Sequence, residues 1–158
     1  MARAREIPGL DCDAPFARAA ARATEVRASE VFEHSDGILD MEDIEPLHDM
    51  RVATRRLRAA MEVFEPCFPR KRRRKSLKRV KALADALGER RDCDVAIEFL
   101  EGFAAEAPED DRDALAALID GLREEQRMAN EELAPFVAPK RLEKLHCRLR
   151  KLVKAVQA

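Results

Sequence analysis

Apolar positions along this chain recur every three or four residues, a spacing that predicts α-helices. No helix breaker occurs between Ala14 and Phe32, and the Ser-Asp-Gly sequence at 35–37 follows as a stop signal. A first helix is therefore expected over 14–32. Its apolar face would be formed by Phe16, Ala19, Ala20, Ala23, Val26 and Val31.

Prolines and a glycine mark the ends of the remaining predicted helices. Pro46 suits the first turn of a second helix running to Phe64, because an N–H in that turn would have no helical partner. Gly88 is a typical C-terminal signal for a third helix that begins near Arg70. Three more helices are expected over about 91–105, from Pro108 to about Leu133 and from Lys140 to the C-terminus, with Pro135 and Pro139 bounding a connector. The pattern predicts an all-α bundle of about six helices.

The composition agrees with a single all-α domain. Hydrophobic residues make up 46% of the chain and charged residues 39%, and there is no Trp or Tyr. No apolar run approaches the ~20 residues that span a bilayer, and no apolar segment of a secretory signal follows the N-terminus. A cytoplasmic location is therefore expected. Residues 1–13 are predicted to be a flexible N-terminus, and 14–158 a helical domain.

Positive charge is concentrated in residues 48–91. This segment holds 15 Lys or Arg and 5 Asp or Glu, a local net charge of +10. The other residues hold 15 basic and 26 acidic side chains, a net of −11, so the whole-chain charge of −1 conceals a strong asymmetry. Charge separation of this size favours a polyanion-binding surface within an otherwise acidic protein.

The cations of the second predicted helix share one face. At about 100° per residue, Arg51, Arg55 and Arg58 lie within roughly 80° of His48, spaced about 5 Å apart along the axis. The opposite face is apolar and suits a core, with Met50, Ala53, Leu57, Ala60, Met61 and Phe64. Each guanidinium is a planar fork that can hold phosphate through two hydrogen bonds.

The third predicted helix repeats this arrangement. Its cations step by three, four and three residues, which keeps Lys71, Arg74, Lys78 and Lys81 on one face. Like charges also stand four apart, as in Arg74/Lys78, and each such pair destabilises a helix by about 0.2–0.5 kcal/mol. A solvated face usually mixes charges of both signs, so repeated repulsion favours a ligand-binding face over an ordinary surface.

The sequence does not favour a metal site. The cysteines Cys12, Cys67, Cys93 and Cys147 contain no Cys-x-x-Cys pair and are expected to be reduced thiols near packing faces, although zinc with His34, His48 or His146 is an alternative. Asp85, Asp92 and Asp94 are expected to orient neighbouring cations or to cap a helix, with metal binding again the alternative. No cofactor, metal or catalytic residue is predicted.

Two segments, in this order and about 25 residues apart, carry a family resemblance: Leu47–Arg58 (LHDMRVATRRLR) and Leu83–Val95 (LADALGERRDCDV). They resemble the CHAD family, the conserved histidine α-helical domain. The resemblance implies a helical bundle that binds inorganic polyphosphate through a basic surface and occurs with polyphosphate granules. By matching position it implies ligand contacts from His48, Arg51, Arg55, Arg58 and Arg91. Helical phase, independently of the family, adds Arg74, Lys78 and Lys81.

The chain departs from the family pattern in its second half. Family domains usually contain two similar helical halves, whereas here the helix expected from about 140 is the last one. It is basic, but its basic residues are out of register with His146. We therefore expect a truncated second repeat, either completed by a homodimer or representing a shortened chain. Its candidate contributions to the site are His146, Arg150 and Lys154.

Three other functions compete with polyphosphate binding. Nucleic-acid binding fits the charge, but the chain lacks Tyr and Trp for base stacking and shows no recognition motif. A phosphate-processing role, as an accessory domain or an enzyme, is less favoured. There is no P-loop, no nucleophile beside a base, and no Glu-x-Glu-x-Lys signature of the triphosphatases joined to some relatives. A purely structural bundle would leave the repeated like-charge pairs without a purpose.

Overall fold

The computed structural model describes residues 3–10 and 13–157, and within them it contains helices and turns but no strand. Five α-helices follow one another: α1 (Phe16–Glu33), α2 (Glu45–Val63), α3 (Arg70–Glu106), α4 (Glu109–Val137) and α5 (Pro139–Gln157). A single-turn 3₁₀-helix, Glu65–Cys67, joins α2 to α3. The all-α prediction is confirmed.

All five helices contribute to the main core, α4 through Leu133 and Val137. α1 lies against α2 and α5, while α3 contacts α2 and α5 from the other side. Alanines such as Ala20 and Ala21 are at most 1% exposed and let α1 approach its neighbours closely. The core is filled by branched and sulfur-containing side chains, including Leu47, Met50, Leu57, Met61, Val80, Leu87, Leu149 and Leu152.

α3 is much longer than the helices beside it. Its 37 residues span about 55 Å, against about 28 Å for the 19 residues of α2. The C-terminal part of α3 pairs with α4 as an antiparallel hairpin, which we call the α3–α4 hairpin. Arg123 of α4 donates to Glu101 of α3 at 2.8 Å, and Ile119 and Leu133 are buried on α4.

The prediction that Gly88 ends a helix is wrong, because α3 continues through it and joins two of the predicted helices. Gly88 does not have a positive φ angle, and Leu87 and Arg90 beside it are fully buried. The burial of these two side chains outweighs the helix penalty of one glycine, about 1 kcal/mol. Asp92 therefore lies inside α3 and caps no helix. The expected count of six becomes five for the same reason.

The expected connector between Pro135 and Pro139 is also shorter than predicted. α4 includes Pro135 in its last turn, and only Ala138 separates α4 from α5. A proline this close to a helix end removes one backbone hydrogen bond. Leu133 and Val137 are buried on either side of it, so packing holds the turn in place.

The helix boundaries predicted at Gly37 and Pro46 agree with the structure. Pro46 lies in the first turn of α2, and Gly37 between α1 and α2 has a φ of 73°. That left-handed conformation favours glycine, and an added Cβ would also come within 3.4 Å of Pro46. In the part of the chain that the structure describes, no helix is long and apolar enough to cross a membrane.

The N-terminal segment contacts α1. The backbone N–H of Arg5 donates to Glu30 Oε1 at 2.7 Å, and Arg27 Nη2 donates to the Arg5 carbonyl at 3.0 Å. The flexibility predicted for residues 1–13 stays a prediction.

Candidate functional site

The cations of α2 lie on the side of the helix that faces away from the core. Arg55 is exposed, and His48, Arg51 and Arg58 are half-buried. On the opposite side, Met50, Ala53, Leu57 and Met61 are fully buried. The two faces predicted for this helix are therefore both present in the fold.

The cations of α3 form a second line directly beside the first. Lys71, Arg74, Lys78 and Lys81 are all exposed. Glu62 of α2 joins the two lines: its Oε1 lies 3.1 Å from Lys81 Nζ and 3.8 Å from Arg58 Nε. One carboxylate thus fixes the side-by-side arrangement of the α2 and α3 cations and neutralises part of their charge.

Most of these cations have no acidic partner. Among the described residues, His48, Arg51, Arg55, Arg74 and Lys78 form no ion pair. Their charge is therefore available to a bound anion. Arg73, by contrast, pairs with Glu65 and ties the start of α3 to the 3₁₀-helix.

Arg91 lies five helical turns from Arg73 and thus on the side of α3 that faces α2. It is half-buried, and its Nη1 is buried with no hydrogen-bond partner among the described residues. A buried guanidinium nitrogen without a partner is costly.

A groove between α3 and α5 adds cations that the sequence did not single out. Its upper part has a volume of about 490 Å³ and an apolar floor that includes Leu83, Phe136 and Leu145. Its rim consists of Lys75, Lys78, Arg79, Arg141 and Arg148. A second part of about 500 Å³ continues between Arg72, Lys75, Ser76, Arg148, Lys151, Lys154 and Ala155. No carboxylate of the described residues lines either part, and we call the two parts together the α3–α5 groove.

The second-half candidates separate in the fold. Lys154 lines the α3–α5 groove. His146 instead packs its ring against Phe32 of α1 with the ring centroids 4.5 Å apart, and Arg150 lines a crevice with α1 that also contains Glu25. The structure brings only Lys154 together with the cations of α3.

The groove residues of α5 did leave a signal in the sequence. The groove residues Arg141, Arg148 and Lys151, together with Lys144 outside the groove, step by three, four and three residues. Lys71, Arg74, Lys78 and Lys81 on α3 have the same spacing. These basic residues are not in helical phase with His146, because the histidine lies on a different side of α5. Arg79 and Lys75 were missed because two faces of α3 are cationic, not one.

A buried ionic cluster lies beneath the second motif. Arg90 is fully buried and ion-pairs with Asp94, whose Oδ1 also accepts a hydrogen bond from Gln126 Nε2 of α4 at 2.7 Å. Burial lowers the pKa of Arg90 from its usual value, and the neighbouring charge of Arg91 lowers it further. The prediction that Asp94 orients a neighbouring cation is confirmed. The second motif thus links α3 to α4 through the contact of Asp94 with Gln126, and it fixes the orientation of α3 at the turn that carries Arg91.

Metal ligands do not cluster in the described part of the chain. No group of three or more His, Cys, Asp or Glu side chains is placed to hold an ion there. Cys67, Cys93 and Cys147 are free thiols, and Cys12 lies outside the described residues.

The fold and these surfaces define a class: an all-α bundle in which α2, α3 and α5 carry solvent-facing basic residues. The sequence profile of the CHAD domain matches residues 22–158, nearly the whole chain, and the protein belongs to the CHAD domain family. No curated protein and no solved structure matches the chain significantly.

Proposed function

We propose that this protein binds inorganic polyphosphate, a linear polyanion, through the cations of α2, α3 and the α3–α5 groove, without hydrolysing it. The observation that carries the proposal is a groove rimmed by cations from two helices, with no carboxylate among its described lining residues. When a polyanion binds to these cations, they take the place of its condensed counterions. The release of those counterions favours binding at low salt.

The spacing of the cations suits a regular polymer of phosphates. On each helix they recur about every turn, or about 5 Å along the axis. Arginine can grip each phosphate through two hydrogen bonds, and lysine adds point charge. The CHAD family, associated with polyphosphate, supports the same ligand class.

Nucleic acid is the main competing ligand, and one contact argues against it. Phe136, the aromatic ring in the groove, is covered by the Arg141 guanidinium at 4.3 Å from the ring centroid. A ring already stacked on a cation is not free to stack on a base. The aromatic ring that lines the groove is therefore not available to stack on a base.

The test is a titration of the protein with polyphosphate at several salt concentrations, in competition with single-stranded nucleic acid of equal total charge. We expect affinity to fall steeply as salt rises and polyphosphate to compete better. Stronger competition by nucleic acid would replace the proposed ligand. Changing Arg51, Arg55 and Arg58 together to Glu should weaken polyphosphate binding by more than about a hundredfold.

A single reversal provides the matched control. Arg55→Glu and Arg18→Glu each replace an exposed helical arginine and change the net charge equally, but Arg18 lies on α1 outside the basic surface. Equal losses from the two would show that only net charge matters, and the proposed surface would then be wrong.

The non-catalytic part of the proposal has its own assay. Polyphosphate incubated with the protein and Mg²⁺ or Mn²⁺ should release no orthophosphate above the buffer control. Metal-dependent release abolished by the triple variant would instead make the protein an enzyme. Association with polyphosphate granules is the corresponding proposal in the cell, tested by co-localisation of wild-type and triple-variant chains.

A further inference from the structure

The floor of the α3–α5 groove is apolar, and a bare phosphate polymer would leave it uncovered. Leu83, Phe136 and Leu145 line the upper part, and Ala155 lines the second part. The methylene stems of the lysine and arginine side chains on the rim add further apolar surface below their charged heads. Burying apolar surface favours binding roughly in proportion to its area. A ligand with an apolar part gains this contribution, whereas polyphosphate contacts the cationic rim alone.

Cations run along both walls of the groove, and their distribution restricts the ligand further. The α3 wall carries Arg72, Lys75 and Arg79, and the α5 wall carries Arg141, Arg148, Lys151 and Lys154. These cations extend over about 10 Å of α3 and about 20 Å of α5. A lipid carries its charge in one headgroup, so it would pair with only one end of these walls. The walls match a ligand that is acidic along both edges and apolar between them.

The two walls are helices that run in opposite directions. The upper part joins Leu83 of α3 to Arg141 of α5, and the second part joins Arg72 to Lys154. A groove with an apolar floor is a common docking site for an amphipathic helix, whose residues i, i+3, i+4 and i+7 then lie on the floor. A helix of about 14 residues is about 20 Å long and therefore matches the length of the α5 wall.

We propose that the α3–α5 groove docks an amphipathic α-helix of a partner protein, about 14 residues long, whose apolar stripe lies between two rows of Asp or Glu. The stripe covers the floor around Ala82 and Phe136, and the acidic rows pair with the cations of α3 and α5. Because the same cations are proposed to hold phosphates, polyphosphate competes with this helix and releases the partner. That competition rests on the proposed function, whereas the docking of the helix does not.

The expected complex has moderate affinity and is sensitive to salt. Lys75, Arg79 and Arg148 are exposed, and ion pairs between exposed groups each contribute little to binding. Leu83 and Leu145 are only 2% and 6% exposed, so the floor adds a narrow apolar contact. We expect a dissociation constant on the order of 1–100 μM at low salt and weaker binding as salt rises.

The first experiment measures the fluorescence anisotropy of a labelled helical peptide of about 14 residues as the full chain is added. Its leucines follow the i, i+3, i+4, i+7 spacing, and glutamates flank them on both sides. The matched control peptide has the same composition in an order that forms no apolar stripe. We expect the protein to bind the amphipathic peptide more than about tenfold tighter than the control. Equal binding of the two, or no binding of the amphipathic peptide, would overturn the proposal.

A change in the floor separates apolar docking from charge attraction. Ala82→Gln places a polar side chain in the upper part and changes no charge. We expect about tenfold weaker binding of the amphipathic peptide and less than about twofold change in polyphosphate binding. Ala105→Gln is the matched control, because Ala105 is exposed on α3 and lies outside the groove. Ala155→Gln makes the same change in the second part and replaces Ala82→Gln if that variant does not fold. Peptide binding that the floor variants leave unchanged contradicts the docked helix.

Lipid binding and the proposed polyphosphate binding are tested separately. Vesicles of phosphatidylglycerol and phosphatidylcholine should bind the wild-type protein and Ala82→Gln equally. Weaker vesicle binding by Ala82→Gln, without peptide binding by the wild type, would assign the groove to a lipid and overturn the docked helix. Peptide binding without polyphosphate binding would refute only the proposed function and the competition that rests on it. Polyphosphate binding without peptide binding would refute only the docked helix.

Discussion

The two halves of α3 are parts of one continuous helix, yet their charged side chains differ in sign and in how they are paired. In residues 70–91, cations such as Arg74 and Lys78 stand exposed without an acidic partner among the described residues. In residues 92–106 two acidic groups form ion pairs: Asp94 with Arg90 of the first half, and Glu101 with Arg123 of α4 at 2.8 Å. Among the described residues, the charge that remains outside ion pairs is mainly positive in the first half and negative in the second.

The direction of α3 makes the contrast sharper. The partial positive charge at a helix N-terminus favours acids there, each by about 0.3–1 kcal/mol, and disfavours bases. α4 follows this rule with Glu109, Asp110 and Asp111 in its first turn. α3 begins instead with Arg70, Lys71, Arg72 and Arg73. The basic first turn of α3, where binding is proposed, therefore lowers the stability of that helix end. The acidic first turn of α4 stabilises its own helix end.

The largest effect should come from breaking the buried cluster that joins the two halves. Asp94→Ala leaves the fully buried Arg90 charge without its partner, and we expect the free energy of unfolding to fall by about 3–5 kcal/mol. Urea unfolding followed by circular dichroism measures it. The double variant Arg90→Met with Asp94→Leu should retain more stability than Asp94→Ala. Equal losses would mean that the ion pair is not what the single variant breaks.

A second comparison separates the groove from the rest of α5. Lys75→Glu and Arg148→Glu should each weaken polyphosphate binding by about tenfold, since both side chains line both parts of the α3–α5 groove. His146→Ala should change binding less than twofold and lower the unfolding free energy by about 1 kcal/mol, because its ring packs on Phe32. The reverse ranking would place the ligand on the α1 side of α5.

A smaller effect is expected at the junction of the two halves. Gly88 is helical, and a Cβ added there meets no atom within 4 Å. Gly88→Ala should therefore raise the unfolding free energy by about 0.5–1 kcal/mol. Thermal unfolding at fixed pH gives the sign. Destabilisation would show that α3 breaks at this residue and that its two halves are separate helices.

The smallest effect concerns the thiol beside the junction. Burial, followed by the nearby Glu125, raises the pKa of Cys93. At a given pH the folded protein then holds less thiolate, so alkylation of Cys93 should be slower in the native state than in urea. The sign for stability follows: the contribution is present below the pKa of the unfolded thiol and is lost as pH rises through the higher folded value. Cys93→Ser should remove that part of the pH dependence.

Local spacing was enough to predict much of the fold. The faces of α2 were correct because Met50, Leu57 and Met61 repeat with the helical period, and so do the cations opposite them. The predicted helix ends at Gly88 and near Pro135 were wrong. Each residue ends a helix only where tertiary packing does not stabilise the helix beyond it. Burial of Leu87, Leu133 and Val137 holds it here. The α3–α5 groove was missed because Lys75 and Arg148 are far apart in sequence and meet only through packing.

The sequence alone determined the helical class, the separation of core and cationic faces, and the family resemblance. Those properties depend on residue spacing within one helix and on short motifs. Only the tertiary structure decided that Lys154 joins the α3 cations while His146 packs on Phe32, and that Glu62 lies between Arg58 and Lys81. Contacts between helices depend on how whole faces pack together, and the periodicity of a single helix does not contain that information.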